Sequence, residues 1–131
     1  MPVEQNFTAR EPSQQLLLQD RELAEVVRRL IEAYRPERIY LFGSKARGDA
    51  DADSDYDLMV IVPDGVPEER RRSRLAYEVL WETGSAADVL VWTHQEFERT
   101  TQVPASLPAT ILREGKLLHA VLTRLPAEAH P

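Results

Sequence analysis

The stretch that decides the fold is LFGSKARGDADADSDYDLMVIV, residues 41–62. It starts with the end of an apolar segment, continues through a glycine-serine pair and a run of alternating aspartates, and closes with the apolar residues 58–62. A continuous apolar run of this length is typical of a central strand that is covered on both faces. The pattern therefore predicts a buried strand with several carboxylates at its start. The presence of so many negative charges beside a buried strand needs a physical explanation.

Two of these aspartates, Asp55 and Asp57, lie at the start of the predicted strand. Residues two apart on a strand point to the same face, so we expect their carboxylates side by side. Like charges this close raise each other's pKa unless a cation joins them. Asp88 begins another apolar segment, 87–92, where a lone charge would be costly to bury. If the two strands are neighbours, three carboxylates converge, and Mg²⁺ is the ion that prefers such oxygen ligands.

The other aspartates of the run, Asp49, Asp51 and Asp53, are interpreted as a solvated acidic loop. A calcium loop of the EF-hand type is excluded because it needs glycine at its sixth position and glutamate at its twelfth. Counted from Asp49, these positions hold Ser54 and Val60. The frame that begins at Asp51 fails in the same way.

A glycine-serine pair, Gly43-Ser44, lies between a predicted strand and a short helical turn. Glycine lets the backbone approach a ligand closely, and the N–H groups that follow it can bind an anion. The Ser44 hydroxyl adds a donor, while Lys45 and Arg47 add positive charge nearby. The motifs GxxxxGK[ST] and GxGxxG are both absent, which excludes a P-loop and a Rossmann chain. These four residues are therefore candidate phosphate-binding residues.

The rest of the chain alternates between helical and strand patterns. The patterns predict, in order, a helix from Asp20 to a stop at Pro36, a strand at 38–42, a helix at 67–83, a strand at 87–92, helices at 94–100 and 109–114, and an edge strand at 116–120. This order is typical of an α/β (α+β) fold with a small mixed sheet flanked by helices. We divide the chain into a flexible N-terminal segment (1–19), one domain (20–122) and a flexible C-terminal tail (123–131). Trp81 and Trp92 are assigned to the core.

Composition limits the classes of function. The chain has 131 residues, a net charge of −6 and no cysteine. This length predicts one domain, and the acidic balance argues against direct contact with nucleic acid. We find no apolar run of membrane-spanning length and no signal peptide. We therefore expect a cytoplasmic protein with no membrane partner.

The double motif resembles the signature of the DNA polymerase β-like nucleotidyltransferase superfamily: LFGSKARG at 41–48 is followed by SDYDL at 54–58. More narrowly, it is similar to the minimal nucleotidyltransferases, over residues 22–120. The resemblance implies that Asp55 and Asp57 hold two Mg²⁺ ions, and that Asp88 ligates the second ion and accepts a proton. It implies ATP as substrate. Its phosphates would be gripped by Gly43 and Ser44 with help from Lys45 or Arg47.

The resemblance also bears on the acceptor and the partner. Larger relatives add a helical domain that binds the acceptor, so we expect the acceptor site on another chain or across a homo-oligomer interface. Minimal nucleotidyltransferases are typically paired with a helical toxin of the HEPN type, which implies an antitoxin that adenylylates a hydroxyl on its toxin. Two alternatives stay open: a non-catalytic antitoxin that only binds, and an enzyme that modifies a small molecule such as an aminoglycoside.

Overall fold

A four-stranded mixed sheet forms the centre of the protein. The structure, a computed structural model, describes residues 13–51 and 54–121. Its strands are β1 (Arg38–Phe42), β2 (Tyr56–Val62), β3 (Ala87–Thr93) and β4 (Lys116–Ala120). They lie in the order β3-β2-β1-β4. β1 is antiparallel to β2 and to β4, whereas β2 and β3 are parallel. The predicted α/β fold with a small mixed sheet is confirmed.

Helices cover both faces of this sheet. They are α1 (Gln14–Gln19), α2 (Arg21–Tyr34), α3 (Ser44–Arg47), α4 (Ser73–Leu80), α5 (His94–Thr100) and α6 (Leu107–Glu114), and short 3₁₀ turns at Glu68–Arg70 and Trp81–Thr83 flank α4. Across residues 13–51 and 54–121, no helix combines the length and hydrophobicity of a membrane span.

The core has two parts, one on each side of β2. α2 and α4 pack on one face, where the apolar stripe of α2 that the sequence predicts is buried against the strands. Asp20 starts α2 as predicted, because its carboxylate accepts a hydrogen bond of 3.0 Å from the Leu23 N–H. Phe97 of α5 and Ile111 of α6 cover the opposite face. Residues 58–62 of β2 are fully buried, as the continuous apolar run indicates.

The predicted helix at 67–83 is wrong in its first third. Residues Glu68–Arg70 form a 3₁₀ turn, and α4 begins only at Ser73. Arg72 adopts an extended backbone, and its carbonyl accepts a hydrogen bond from the Tyr34 hydroxyl of α2. Arg71 folds back to donate to the Val66 carbonyl at 3.1 Å. These contacts hold residues 71 and 72 in a non-helical conformation. The contact with Tyr34 cannot be identified from the local sequence.

The two tryptophans have different environments. Trp92 packs against the part of the core that α5 and α6 cover. Trp81 is 83% exposed, so its assignment to the core was wrong. α4 buries Ala76 and Leu80, and the residue after Leu80 lies about 100° further around a helix, on the solvent side.

The N-terminal segment is partly helical. Residues 1–12 and 122–131, which include most of the two predicted flexible segments, lie outside the described residues. Within the segment 1–19, Gln14–Gln19 form α1, and Leu16 and Leu17 pack against the core. The Ser13 N–H also donates to the Leu117 carbonyl of β4 at 2.6 Å. This part of the segment therefore belongs to the folded unit.

Candidate active site

The turn between β1 and α3 packs directly on a carboxylate of β2. Gly43 has φ 75° and ψ −158°, and its carbonyl accepts hydrogen bonds from the N–H groups of Ala46 and Arg47 at 3.1 and 3.0 Å. A Cβ atom at Gly43 would collide with the Asp57 carboxylate. Both the left-handed φ and this close approach require glycine. The turn that carries Ser44 is thereby held against Asp57.

Strand register brings two of the predicted carboxylates together. Asp57, the second residue of β2, is opposite Phe42 on β1 and opposite Asp88 on β3. Asp55 lies just before β2. Burial raises the pKa of the Asp57 carboxyl above its ordinary value of 3.8; the charges of Asp88 and Asp55 raise it further, while Arg47 opposes them. Asp57 is therefore close enough to both other carboxylates for their charges to affect its ionisation.

The degree of burial differs from the expectation for Asp88. Asp57 is half-buried, but Asp55 and Asp88 are exposed. The argument that Asp88 carries a costly buried charge was wrong, because β3 is an edge strand of the sheet and Asp88 lies near its open start. The carboxylates thus form a cluster with one partly desolvated member and two members that solvent or a ligand can reach.

The two predicted cations differ in position. Lys45 Nζ lies 4.7 Å from the centre of the Tyr56 ring. Tyr56 packs into the core on the side of α2, and its strand neighbour Asp57 points to the other face. Arg47 Nε lies 3.2 Å from Asp49 Oδ2, and its charge lowers the pKa of Asp57. Arg47 is thus the cation whose field reaches the carboxylate cluster.

The loop aspartates have local partners. Besides the pair between Asp49 and Arg47, Ser54 Oγ donates to Asp51 Oδ1 at 3.2 Å, and the Ser54 N–H donates to the Asp51 carbonyl at 3.2 Å. Asp53 lies outside the described residues. These contacts fit the prediction of a solvated acidic loop for Asp49 and Asp51.

The carboxylate cluster fits a magnesium ion in its donor chemistry. Across residues 13–51 and 54–121, no group of three or more His, Cys, Asp or Glu side chains lies close enough to hold a metal by itself. Burial, followed by repulsion from Asp88 and Asp55, raises the pKa of Asp57, and a cation would relieve that repulsion. Mg²⁺ keeps water and substrate phosphates among its ligands, so it does not need an all-protein cage. The residues therefore suit an ion that a nucleotide helps to hold.

Comparison with known proteins decides the family. The family model described as "Nucleotidyltransferase domain" matches residues 21–118. The chain belongs to the nucleotidyltransferase domain family. The match covers β1, β2, β3, the first residues of β4 and all the carboxylates of the cluster, and it makes the protein a nucleotidyltransferase. No curated protein matches this chain.

Solved structures share the fold of this nucleotidyltransferase. One is a chain of a mutant MntA-HpeT toxin–antitoxin structure, with a TM-score of 0.51 and 19% identity, covering 75% of this chain and 73% of that chain. Another is a chain of a toxin–antitoxin structure with AMP-PNP, with a TM-score of 0.50 and 24% identity, covering 74% of this chain and 73% of that chain. At these identities, the likeness establishes a common fold.

A hydrogen-bond network that sequence reasoning missed supports the site from the α2 side. The Tyr56 hydroxyl donates to the Asp20 carboxylate at 2.9 Å, and Glu22 lies 3.4 Å away. Burial, followed by this contact with Asp20, raises the pKa of Tyr56. Asp20 was predicted as the cap of α2, but its partner is 36 residues away and no local pattern could identify it.

An open groove of the nucleotidyltransferase, the Trp81 groove, borders the carboxylate cluster. It has a volume of about 780 Å³ and is lined by Asp55, Asp88, Tyr77, Leu80, Trp81 and residues 84–87. Tyr77 is 54% exposed and Trp81 is 83% exposed. The sequence carried one signal for it: two aromatic residues four apart lie on one side of a helix, beside the stripe that Ala76 and Leu80 bury.

Proposed function

We propose that this nucleotidyltransferase transfers AMP from ATP to a hydroxyl group of a partner protein in a Mg²⁺-dependent reaction, and that it is the antitoxin of a HEPN-type toxin. The observation that carries the proposal is the contact between the Gly43 turn and Asp57, which lies opposite Asp88. This contact unites a loop suited to phosphate with carboxylates suited to Mg²⁺.

The Gly43 turn is the proposed phosphate site. Backbone N–H groups at its start and the Ser44 hydroxyl can donate hydrogen bonds to the β- and γ-phosphates. Arg47 adds positive charge from the same turn. Lys45, which lies over the Tyr56 ring, fixes α3 against β2 in this arrangement. Its predicted contact with the nucleotide requires the side chain to leave that ring.

Asp55, Asp57 and Asp88 are the proposed ligands of two Mg²⁺ ions. When bound, such ions neutralise phosphate charge and lower the pKa of an acceptor hydroxyl. Among the three carboxylates, Asp57 is fixed by the strand pairing and the Gly43 contact, so it sets the position of the others. Exposed Asp88 can be reached by an acceptor from outside the sheet, which suits it to receive the acceptor's proton.

The reaction is a nucleotidyl transfer. The acceptor oxygen forms a bond to the α-phosphorus, and the bond between that phosphorus and the pyrophosphate oxygen breaks. The acceptor's proton passes to Asp88 and then to solvent, so the products are an AMP ester and pyrophosphate. Most of the stabilisation comes from positioning and from charge neutralisation, as in other phosphoryl transfers.

The antitoxin role is supported by the family resemblance and by the fold that the protein shares with toxin–antitoxin structures, one of them with AMP-PNP. It predicts a small helical protein, encoded beside this chain, that carries the acceptor hydroxyl. The binding-only antitoxin and the small-molecule transferase make different predictions for the same assay.

The experiment mixes the protein with that neighbour, Mg²⁺ and α-labelled ATP. We expect label on the neighbour with the native chain and none with Asp55→Asn/Asp57→Asn. A matched control, Asp49→Asn/Asp51→Asn, removes the same charge from the same loop outside the cluster and should keep the activity. A tight complex without label would establish a binding-only antitoxin and refute the transfer. Label on an aminoglycoside but not on the neighbour would identify the small-molecule enzyme.

A further inference from the structure

The Trp81 groove and the phosphate-binding turn lie on opposite sides of Asp57. The sheet order places β1 and β3 on either side of β2. Gly43 follows β1, whereas Asp88 and Ala87 of β3 line the groove. A ligand held at Gly43 therefore meets Asp57 from the side of β1, and a ligand in the groove meets Asp55 and Asp88 from the side of β3.

This arrangement matches the geometry of nucleotidyl transfer. The attacking and leaving oxygens lie roughly in line through the phosphorus, so the acceptor enters opposite the pyrophosphate. If the β- and γ-phosphates bind at the Gly43 turn, the acceptor approaches from the β3 side. The Trp81 groove is the cavity on that side, and Asp55 and Asp88 form its inner end. This step rests on the proposed function.

The lining of the groove determines which acceptors it suits. Among its described lining residues, the charged ones are Asp55 and Asp88, and none is a cation. Without bound Mg²⁺ this surface carries only negative charge, which favours cationic over acidic side chains next to the acceptor hydroxyl. Exposed Trp81 and Tyr77 offer apolar area and ring faces that bind lysine or arginine side chains. The volume of about 780 Å³ lies within the usual range of binding sites.

We propose that the Trp81 groove binds the acceptor segment of the partner protein: a hydroxyl-bearing residue flanked by apolar and cationic side chains. Trp81 and Tyr77 are the specificity-determining residues, because they are the large exposed side chains of the groove. The hydroxyl is placed at the inner end, next to Asp88, while the flanking side chains lie along the aromatic rings.

A binding experiment tests the groove without requiring activity. The chain has two tryptophans, so Trp92→Phe leaves Trp81 as the sole tryptophan reporter. The probe is a synthetic peptide with one tyrosine between leucine and arginine residues, and its counterpart carries glutamate in place of arginine. We expect the cationic peptide to protect Trp81 fluorescence from quenching by acrylamide, and the acidic peptide to have no effect. Tyr77→Ala should weaken this binding about ten-fold, the loss expected for an aromatic contact.

Control variants separate binding in the groove from binding to other apolar surfaces and from binding of the nucleobase. Leu18→Ala removes an equally exposed apolar side chain, on α1, and should leave peptide binding unchanged. Affinity for a fluorescent ATP analogue should be the same in Tyr77→Ala, Trp81→Ala and the native chain. A nucleotide affinity that falls in the aromatic variants would make the groove a nucleobase site and overturn the proposal. So would equal binding of the acidic peptide, binding of an oligonucleotide, or no peptide binding up to about 1 mM.

A transfer assay with the same peptides separates the two proposals. Peptide binding with no label on the peptide or on the neighbouring protein would leave the groove standing and refute the proposed AMP transfer. Labelling that is unchanged in Trp81→Ala and Tyr77→Ala would leave the function standing and refute the groove.

Discussion

At the scale of single residues, Gly43 is the position of the site at which we expect a substitution to be tolerated least. Its backbone has φ 75°, and the space where a side chain would lie is occupied by the Asp57 carboxylate. A second glycine of the same turn, Gly48, has φ 87° but open space around it. The pair separates the effect of backbone strain from the effect of contact with the carboxylate.

Gly43→Ala should reduce nucleotidyl transfer by at least about 100-fold, because displacing a catalytic group by about 1 Å has that effect. Gly48→Ala should lose about 1–2 kcal/mol of unfolding free energy from its left-handed backbone, and Gly43→Ala should lose more because its Cβ would also collide with Asp57. Urea unfolding and the transfer assay measure the two quantities. If Gly48→Ala lost as much activity as Gly43→Ala, the contact with Asp57 would not be the reason for the glycine.

At the scale of elements, one side chain connects the start of α2 to the start of β2. Asp20 accepts hydrogen bonds from the Leu23 N–H, which starts the helix, and from the Tyr56 hydroxyl, which lies between Asp55 and Asp57 in sequence. Lys45 of α3 packs on the other side of this tyrosine ring. Three elements therefore meet at Tyr56.

Tyr56→Phe should lower the free energy of unfolding by about 1–3 kcal/mol, the range for a hydrogen bond to a charged group. Asp20→Ala should cost about 1 kcal/mol more because the helix cap is also lost. Denaturant unfolding of the two single variants and the double variant measures their coupling, which we expect to be about 1 kcal/mol. The matched control is Glu22→Ala, whose contact with Tyr56 is long. Equal coupling of Tyr56 with Glu22 and with Asp20 would contradict a network centred on Asp20.

Elements also show what sequence can predict. Central β2 was predicted because a continuous apolar run of five residues between turn signals is typical of a buried strand, and the helix stripe of α2 because its period is clear. The break before α4 was missed because it depends on a contact between Tyr34 and Arg72, 38 residues apart. Periodicity describes local conformation, and it does not identify long-range partners.

At the scale of the whole molecule, the ionised carboxylates of the candidate site lower the stability of the fold. The pKa of Asp57 is raised in the folded protein, so the folded state binds more protons than the unfolded state between pH 3.8 and that raised value. Stability therefore falls as pH rises through this interval. Above it, the ionised carboxylate cluster destabilises the fold unless a cation is bound.

In metal-free buffer at neutral pH, Asp57→Asn should raise the thermal midpoint by about 1–4 °C, because it removes a charge that is partly buried and repelled by Asp88 and Asp55. The gain should shrink as pH falls through the raised pKa and should vanish below 3.8, where Asp57 of the native chain becomes protonated in both states. Added Mg²⁺ should stabilise the native chain and not the variant. Calorimetry at several pH values measures all three effects. The control Asp49→Asn loses its pair with Arg47 and should not be stabilised.

The sequence did not determine where each strand lies in the sheet, and so it did not determine which residues of the site are exposed. Spacing predicted that Asp55 and Asp57 share a strand face, the apolar segment around Asp88 singled out the third carboxylate, and the resemblance supplied its role. Whether β3 is central or at an edge depends on which strands flank it, and its apolar run suits both positions. For that reason the exposure of Asp88, and the groove beside it, became visible only in three dimensions.

The burial of Tyr56 also prevents a futile reaction. A tyrosine next in sequence to the carboxylates of a nucleotidyltransferase is a ready target for self-modification. The Tyr56 hydroxyl is committed to Asp20, and the residue is only 5% exposed. Its ring also lies under Lys45. Under the proposed reaction, the Tyr56 hydroxyl is therefore kept out of competition with acceptors that come from outside.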